Sequence, residues 1–316
     1  MGHESLQQLQ EEVSKVLIGK DKLVQKLLTA MITGGHVLLE DVPGTGKTKL
    51  ARTVAAVMDC SFQRVQFTPD VLPSDVTGIE IYNQQQNGFE TRPGPVMTQI
   101  LLVDEINRAT PKTQASLLEA MEEKQVTIGR ETMALPSPFF VIATQNPVES
   151  GQGTFPLPEA QLDRFLMMLN VDYPTPEEEE EMINLYSEND RPEAQLNICL
   201  TPAQLRELKQ EARRVHIAPE VKSYMLQVIR ATRASKHTAV GVSPRGTLLF
   251  HQTLQTYAFL HGRNYVEPDD IRALAGDVLA HRLVLTMEAA LQYRKEDVLE
   301  LVFQEIEVPT ETKGTI

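Results

Sequence analysis

A short glycine-containing segment separates an apolar run from a helix-like stretch near the N-terminus. The segment is Pro43–Gly44–Thr45–Gly46–Lys47–Thr48; His36–Glu40 before it resembles a strand, and Lys49–Met58 after it resembles a helix. This order predicts a phosphate-binding P-loop, because the backbone N–H groups and the helix dipole both favour a bound anion. Lys47 is expected to contact the β- and γ-phosphates, and the Thr48 hydroxyl is expected to bind Mg²⁺.

Asp41 departs from the pattern G-x-x-x-x-G-K-[ST], since it stands where the first glycine is expected. That position must accept a side chain, which argues against a turn with positive φ there. A glycine turn in front of an ordinary helix is the alternative interpretation of the whole segment. The effect of Asp41 on activity stays open.

Short apolar runs alternate with helical stretches over the first half of the chain. Helices are predicted at Lys49–Met58, Thr113–Glu123 and Glu159–Arg164, and from Gln7 to about Ala30 with a break at Ile18–Gly19. The strand-like runs are His36–Glu40, Phe62–Phe67, Ile100–Asp104, Phe139–Thr144 and Leu166–Val171. This alternation predicts an α/β core with a parallel five-stranded sheet covered on both faces.

Two insertions interrupt the alternation. Asp75–Pro95 is rich in Gly, Asn, Gln and Pro and contains two strand-like pieces. Val126–Ile128 and Thr132–Leu135, separated by Gly129–Glu131, predict a β-hairpin with a three-residue loop. Both insertions are expected to be exposed.

The composition changes after Val171, where five consecutive glutamates occupy positions 177 to 181. Thr175 as N-cap, Pro176 at the first helical position and Glu178 two positions later predict the start of a connecting helix. We therefore predict an α/β core over residues 1–173, a connecting segment over 174–200 and a small all-α domain over 201–316. The tail is predicted as a helix at 288–302 followed by a strand at 303–308.

Composition narrows the class of protein. Thirty Lys and Arg against 43 Asp and Glu give a formal charge of −13, which makes nucleic acid an unlikely partner. No stretch approaches the roughly 20 apolar residues that span a bilayer, so membrane insertion is not expected. Two lone cysteines, Cys60 and Cys199, favour a reducing compartment, and we expect a cytoplasmic protein.

The run Ile100–Asp104 ends in two adjacent carboxylates, Asp104 and Glu105. After a P-loop this pattern suits a Walker B motif. Asp104 is expected to hold Mg²⁺ through water, and Glu105 to orient and activate the attacking water, because phosphoryl transfer depends on charge neutralisation and positioning. A strand that merely ends in acids is the alternative.

Asn146 directly follows the next strand-like run, Phe139–Thr144. Ligands of open α/β sheets bind at the carboxyl ends of strands, so its amide is placed to hydrogen-bond the γ-phosphate or the lytic water. The alternative is a turn started by the Asn–Pro pair.

Two arginines are candidates for contacts with the phosphates. Arg164 precedes the last strand, and it could form an ion pair with Asp163 or act as an arginine finger in a neighbouring subunit. Arg245, in Ser243–Gly246, opens a helix of the second domain and could reach back over the phosphates.

The ordered set of motifs resembles an AAA+ ATPase and, more narrowly, the MoxR family. The resemblance runs from about Ile18 to Leu285, most of the chain. The segments that carry it are Leu39–Gly44, Val103–Ala109, Leu117–Glu122, Ala143–Pro147, Pro158–Phe165 and Val242–Gly246.

The resemblance implies roles for individual residues. Asn146 would be sensor 1, Arg164 the arginine finger given in trans, and Arg245 sensor 2. Ile18–Gly19 matches the segment whose backbone lies near the adenine, and the two insertions match those of the helix-2-insert clade. Arg108 also matches a family position; its role is open, and a structural ion pair is an equal alternative.

The resemblance further implies an AAA+ core followed by an α-helical lid, ATP and Mg²⁺ as ligands, and a hexameric ring. It implies a chaperone-like ATPase that matures partner proteins, sometimes with metal insertion, and a partner with a von Willebrand factor A domain. A DNA motor is one alternative, since related clades with the same insertions move DNA. A weakly hydrolysing, nucleotide-dependent scaffold is another, and Asp41 is the residue that would support it.

Overall fold

The computed structural model describes residues 2–41, 45–85, 87–146, 153–188 and 196–309. Contacts between residues divide the chain into two compact units, unit 1 (Met1–Leu208) and unit 2 (Lys209–Ile316). The division falls inside the helix Pro202–Ala212. The domain limits drawn from the sequence at 173 and 200 stay a prediction.

The helices and strands of the described residues follow in chain order. The helices are α1 (Gly2–Ser14), α2 (Asp21–Thr33), α3 (Lys47–Val57), α4 (Pro73–Thr77), α5 (Pro111–Glu123), α6 (Glu159–Leu162), α7 (Pro176–Glu188), α8 (Pro202–Ala212), α9 (Pro219–Ala234), α10 (Pro244–Leu260), α11 (Pro268–Leu279), α12 (Met287–Ala290) and α13 (Lys295–Gln304). The strands are β1 (Val37–Asp41), β2 (Phe62–Gln66), β3 (Gly78–Asn83), β4 (Gly88–Pro93), β5 (Ile100–Asp104), β6 (Gln125–Ile128), β7 (Glu131–Ala134), β8 (Phe140–Gln145), β9 (Met167–Val171), β10 (Thr238–Val240) and β11 (Val284–Leu285).

Five parallel strands of the described residues form the central sheet of unit 1, in the order β2-β5-β8-β1-β9. Each of the five predicted strand-like runs supplies one strand, so the predicted parallel sheet is confirmed. Every residue of β5 is buried, as expected for an interior strand covered on both faces. Leu38 of β1, Val103 of β5 and Val141 of β8 belong to one apolar core with α5 residues such as Leu117.

Both insertions form antiparallel hairpins. β3 pairs with β4 over the whole length of each strand, from Gly78↔Pro93 to Asn83↔Gly88. β6 pairs with β7, and Ile128↔Glu131 closes the ladder. The predicted three-residue loop is therefore wrong: two residues connect the strands, because Gly129 takes a positive φ of 60° and lets Glu131 join the ladder.

The predicted start of the connecting helix is confirmed at α7. The Thr175 N–H donates to Glu178 Oε2 at 2.8 Å, and the Glu178 N–H donates to Thr175 Oγ1 at 3.3 Å. Each side chain satisfies a backbone donor of the other residue, which is the reciprocal arrangement of a capping box.

Unit 2 is mainly helical, and prolines open α9, α10 and α11 as the sequence indicates. A short antiparallel pair, β10 with β11, was not predicted. The predicted strand at 303–308 is wrong, since Phe303 lies inside α13. Val298, Leu299, Val302 and Phe303 are all buried, and this spacing forms one apolar face of a helix.

Candidate active site

The carboxyl ends of three neighbouring strands meet at one edge of the central sheet. Strand register aligns Leu39 of β1 with Thr144 of β8, and Val103 of β5 with Ala143 of β8. The Glu105 N–H donates to Thr144 Oγ1 at 3.0 Å, which ties the end of β5 to the end of β8. These pairings bring Asp104 and Glu105 close to Asn146, which follows β8 and is 8% exposed.

The described part of the predicted phosphate loop connects this edge to α3; Pro43 and Gly44 lie outside the described residues. Gly46 has φ 84° and caps α3, which begins at Lys47, two residues before the predicted start. A Cβ at Gly46 would meet nothing within 4 Å, so the backbone angle, and not space, favours glycine there. The first turn of α3 follows directly, and an α-helix does not pair the N–H groups of its first turn within the helix.

Asp41 is the last residue of β1, so its backbone is extended. An extended residue accommodates a side chain without strain. The departure from the glycine pattern is therefore compatible with the fold, because the chain has not yet turned at this position.

Thr48 and Asp104 offer the oxygen ligands that Mg²⁺ prefers. Thr48 is half-buried on the first turn of α3, Asp104 is 7% exposed at the end of β5, and α3 packs on β5. No group of three or more His, Cys, Asp or Glu side chains gathers at a possible metal site among the described residues. This donor set fits a magnesium ion that takes few protein ligands and completes its shell with phosphate and water.

Both carboxylates at the end of β5 have cationic or amide partners. Arg64 Nε donates to Asp104 Oδ2 at 2.5 Å, and Arg64 Nη2 donates to Gln66 Oε1 at 3.1 Å. Gln66 Nε2 in turn donates to Glu105 Oε2 at 2.8 Å, and Arg108 Nη1 donates to the same oxygen at 3.2 Å. Arg64 and Gln66 thus connect the two acids through hydrogen bonds. Arg108 forms an ion pair with Glu105, which was the structural alternative for this arginine.

A cavity of about 470 Å³ opens beside the phosphate loop in unit 1. Its volume is in the range of small-molecule sites. The cavity is lined by Val16, Leu17, Ile18, Lys20, Thr45, Gly46, Lys49, Tyr173, Pro174, Glu179, Met182, Ile183 and Tyr186. Several apolar side chains there are well exposed, such as Tyr173 (65%) and Ile183 (66%), so an apolar ligand face could cover them.

Gly19 explains why the chain can turn beside this cavity. Its φ is 68°, and a Cβ at this position would lie 2.2 Å from Glu178 Cδ. The positive φ disfavours a residue with a Cβ, and a Cβ would also displace the Glu178 carboxylate, whose Oε2 accepts the Thr175 N–H. Ile18 lines the cavity together with Thr45 and Gly46, and Gly19 makes the turn between Ile18 and Lys20, which also lines it. The predicted place of Ile18–Gly19 beside an adenine stays a prediction.

Comparisons with known proteins agree with this architecture. Residues 36–167 match the model of the "ATPase family associated with various cellular activities (AAA)", and residues 230–301 match the model of the "AAA lid domain". The chain is 45% identical to an uncharacterised protein, YeaC, of Bacillus subtilis over 98% of this chain and 96% of that protein. It is 42% identical to Chaperone MoxR1 of Mycobacterium tuberculosis over 94% of this chain and 81% of that protein. The chain belongs to the MoxR family of AAA+ ATPases.

A solved structure supports the same fold for this MoxR protein. The crystal structure of a protein from Cytophaga hutchinsonii, described as a candidate ATPase, superposes with a TM-score of 0.90 at 38% identity. The alignment covers 98% of this chain and 96% of that one. In the described part of the MoxR chain, no helix has the length and apolarity that crossing a membrane requires.

The two arginines predicted to contact phosphate lie in different units of the MoxR chain. Arg164, in unit 1, pairs with Glu122, with 3.1 Å between Nε and Oε2. Arg245, in unit 2, is half-buried on the first turn of α10, where Ser243 Oγ accepts the Gly246 N–H at 3.0 Å. A Cβ at Gly246 would lie 2.7 Å from Arg282 Cδ, so close packing requires glycine after Arg245.

Sequence reasoning missed Arg64, Gln66 and Glu122 as neighbours of the predicted site residues. The sequence held a signal for Arg64 and Gln66, because they stand on either side of the apolar Val65 in β2, the strand that pairs with β5. Side chains two residues apart share a face, so both could have been placed beside Asp104 once the strand order was known. Glu122 carried no comparable signal, because its contact with Arg164 joins segments distant in sequence.

Proposed function

We propose that this MoxR protein binds ATP at the loop before α3 and hydrolyses it in a Mg²⁺-dependent reaction. The observation that carries the proposal is the meeting of the loop, the paired carboxylates of β5 and Asn146 at one edge of a parallel sheet. Ligands of α/β sheets bind at this edge. The adjoining cavity supports a nucleotide, because its exposed apolar residues offer a face to the base while Thr45 and Gly46 lie on the phosphate side.

The residues divide the work of phosphoryl transfer. Lys47 contacts the terminal phosphates, and Thr48 and Asp104 hold Mg²⁺, which neutralises the developing charge when bound. Glu105 orients and activates the attacking water. Hydrogen bonds from Gln66 and Arg108 fix the direction of its carboxylate, and its backbone N–H is anchored on Thr144. Such pre-organisation is what an in-line attack needs.

We further propose that the site is completed by a second copy of the chain. Arg164 reaches the γ-phosphate bound by the neighbouring subunit, and a hexameric ring is the proposed assembly. Its side chain is 32% exposed, and its contact with Glu122 is at Nε. A guanidinium carries five N–H donors in a planar arrangement that matches a phosphate. Asn146 and Arg245 keep their proposed roles as sensor 1 and sensor 2.

Three variants test the hydrolysis proposal. Lys47→Ala should abolish ATP binding, and tight binding by this variant would remove the phosphate-loop assignment. Glu105→Gln should bind ATP without hydrolysing it, so undiminished turnover would contradict the role of Glu105.

Arg164→Ala should bind ATP but lose turnover, and mixing it with Lys47→Ala should restore part of the activity. A mixture that stays inactive would contradict the contribution in trans.

We also propose that the ATPase cycle remodels or matures client proteins in the cytoplasm. The similarity to Chaperone MoxR1 supports a chaperone role, and the two free thiols, Cys60 and Cys199, suit a reducing compartment. A partner with a von Willebrand factor A domain, and metal insertion into a client, are part of the proposal. Affinity capture with Glu105→Gln and ATP should retain the client, and mass spectrometry should identify it. Recovery of DNA, with DNA-stimulated turnover, would favour the motor alternative instead.

A further inference from the structure

The ion pair between Arg164 and Glu122 joins two segments at the surface of unit 1. Glu122 lies near the end of α5, and Arg164 lies just before β9. The side chains are 38% and 32% exposed respectively, so the pair is accessible to another molecule. The contact joins Glu122 Oε2 to Arg164 Nε at 3.1 Å, at the base of the guanidinium where it meets the aliphatic stem.

A single buried residue anchors the backbone on both sides of this pair. His36 is 5% exposed; its Nε2 lies 3.3 Å from the carbonyl oxygen of Met121, the residue before Glu122. The carbonyl oxygen of His36 accepts the Leu166 N–H at 2.7 Å, two residues after Arg164. His36 therefore fixes the distance between the two segments from which the paired side chains project.

The ring of His36 is itself oriented by the sheet. The Val141 N–H donates to His36 Nδ1 at 3.0 Å, so the ring proton is on Nε2, where it can donate to Met121. Met121 and Phe165 are 3% and 0% exposed, so the neighbours of both paired residues are locked in the core. The flexible part of this arrangement is the arginine side chain, and Glu122 is the group that restrains it.

We propose that Glu122 is a positioning residue for the arginine finger: by holding Arg164 at Nε, it limits the directions in which the guanidinium can reach toward the phosphate of the adjacent subunit. The inference rests on the proposed function, in which Arg164 acts in trans. A long side chain that is already oriented loses less rotamer freedom when it engages its target. An ion pair this exposed can change the population of the oriented state by a factor of roughly 1.5 to five.

Mixed assemblies isolate this role from effects on the subunit's own site. Lys47→Ala subunits cannot bind ATP and serve only as finger donors, while Arg164→Ala subunits bind ATP and serve only as acceptors. We expect a donor that carries both Lys47→Ala and Glu122→Gln to support a kcat about 1.5- to fivefold lower than the Lys47→Ala donor, with the same KM for ATP. Glu122→Gln placed on the acceptor should change neither parameter.

Glu123→Gln on the Lys47→Ala donor is the matched control, since Glu123 is the neighbouring exposed acid on α5. It should support the same kcat as the unmodified donor. The inference is overturned if the Glu122→Gln donor performs as well as its parent or better, or if the substitution acts from the acceptor. If even the Lys47→Ala donor fails to activate Arg164→Ala subunits, the trans role in the proposed function is wrong, and the inference about Glu122 is wrong as well. If the Lys47→Ala donor activates them and Glu122→Gln changes nothing, the inference about Glu122 is wrong and the proposed function is unaffected.

Discussion

Removing the cation from Arg64 should strengthen the effect of Mg²⁺ on ATP binding. Arg64 Nε and Asp104 Oδ2 are 2.5 Å apart, so the proposed metal-binding carboxylate is already neutralised by a guanidinium. A Mg²⁺ ion bound to Asp104 would compete with Arg64 for the carboxylate and so weaken this ion pair. Arg64→Met keeps the aliphatic stem of the side chain but removes the competing charge, and the coupling between Mg²⁺ and ATP should therefore increase.

The exposure of the two partners sets the size of the effect. The Arg64 side chain is 48% exposed, while that of Asp104 is 10% exposed. A pair with one solvated partner contributes about 0.2–1 kcal/mol. Since about 1.4 kcal/mol corresponds to a factor of ten, the expected change is about 1.5- to fivefold.

The assay compares the dissociation constant for a fluorescent ATP analogue with excess Mg²⁺ and with EDTA. The ratio of the EDTA value to the Mg²⁺ value should be about 1.5 to five times larger for Arg64→Met than for the parent protein. Arg52→Met is the control, because Arg52 is exposed on α3 and its Cζ lies over the ring of Phe62, 5.9 Å from the ring centroid. A ratio that is unchanged or smaller in Arg64→Met would refute the competition argument.

Three further substitutions test local features of the fold. A hydrogen bond from Lys15 and two from Asn197 lower the pKa of Glu12 from 4.5 to about 2. The stabilising contribution of Glu12 is therefore complete above about pH 4.5 and is lost as the pH falls toward 2. In urea denaturation followed by circular dichroism, Glu12→Gln should lower the free energy of unfolding of unit 1 by about 1 kcal/mol at pH 7 and by progressively less below pH 4.5. Glu11→Gln should show no such pH dependence, and equal profiles would contradict the assignment. Gly19→Ala should destabilise unit 1 by about 1–2 kcal/mol, since a residue with a Cβ is disfavoured at a φ of 68°. Gly276→Ala, at an exposed position of α11 where a Cβ would meet nothing within 4 Å, should stabilise unit 2 by about 0.4–1 kcal/mol. A change of the opposite sign in either variant would refute its argument.

Much of the α/β core could be predicted from the sequence because the information was local. The five strands are short apolar runs bounded by polar residues, and each was located from its own composition. The capping box of α7 needed only Thr175, Pro176 and Glu178. The candidate phosphate loop and the pair Asp104–Glu105 were likewise predicted from contiguous residues, and their roles stay predictions.

Local patterns failed where neighbouring segments decided the outcome. Phe303 resembles a strand residue by composition, but it extends the buried face that Val298, Leu299 and Val302 begin in α13. The hairpin loop is one residue shorter than predicted, because pairing across the ladder assigned Glu131 to β7. The strands β10 and β11 are too short to show a period, so only their pairing defines them.

The chain alone determined which chemical groups this MoxR protein could bring to a nucleotide: a lysine and a hydroxyl after a glycine loop, two acids after an apolar strand, and an amide after the next. Only the tertiary structure decided what those groups contact. Arg64 and Gln66 meet the acids because β2 lies beside β5, and Glu122 meets Arg164 because His36 holds their segments together. The physical reason is that the chemical group at each position follows directly from the sequence. A contact between residues far apart along the chain exists only when strand order and core packing set the distance.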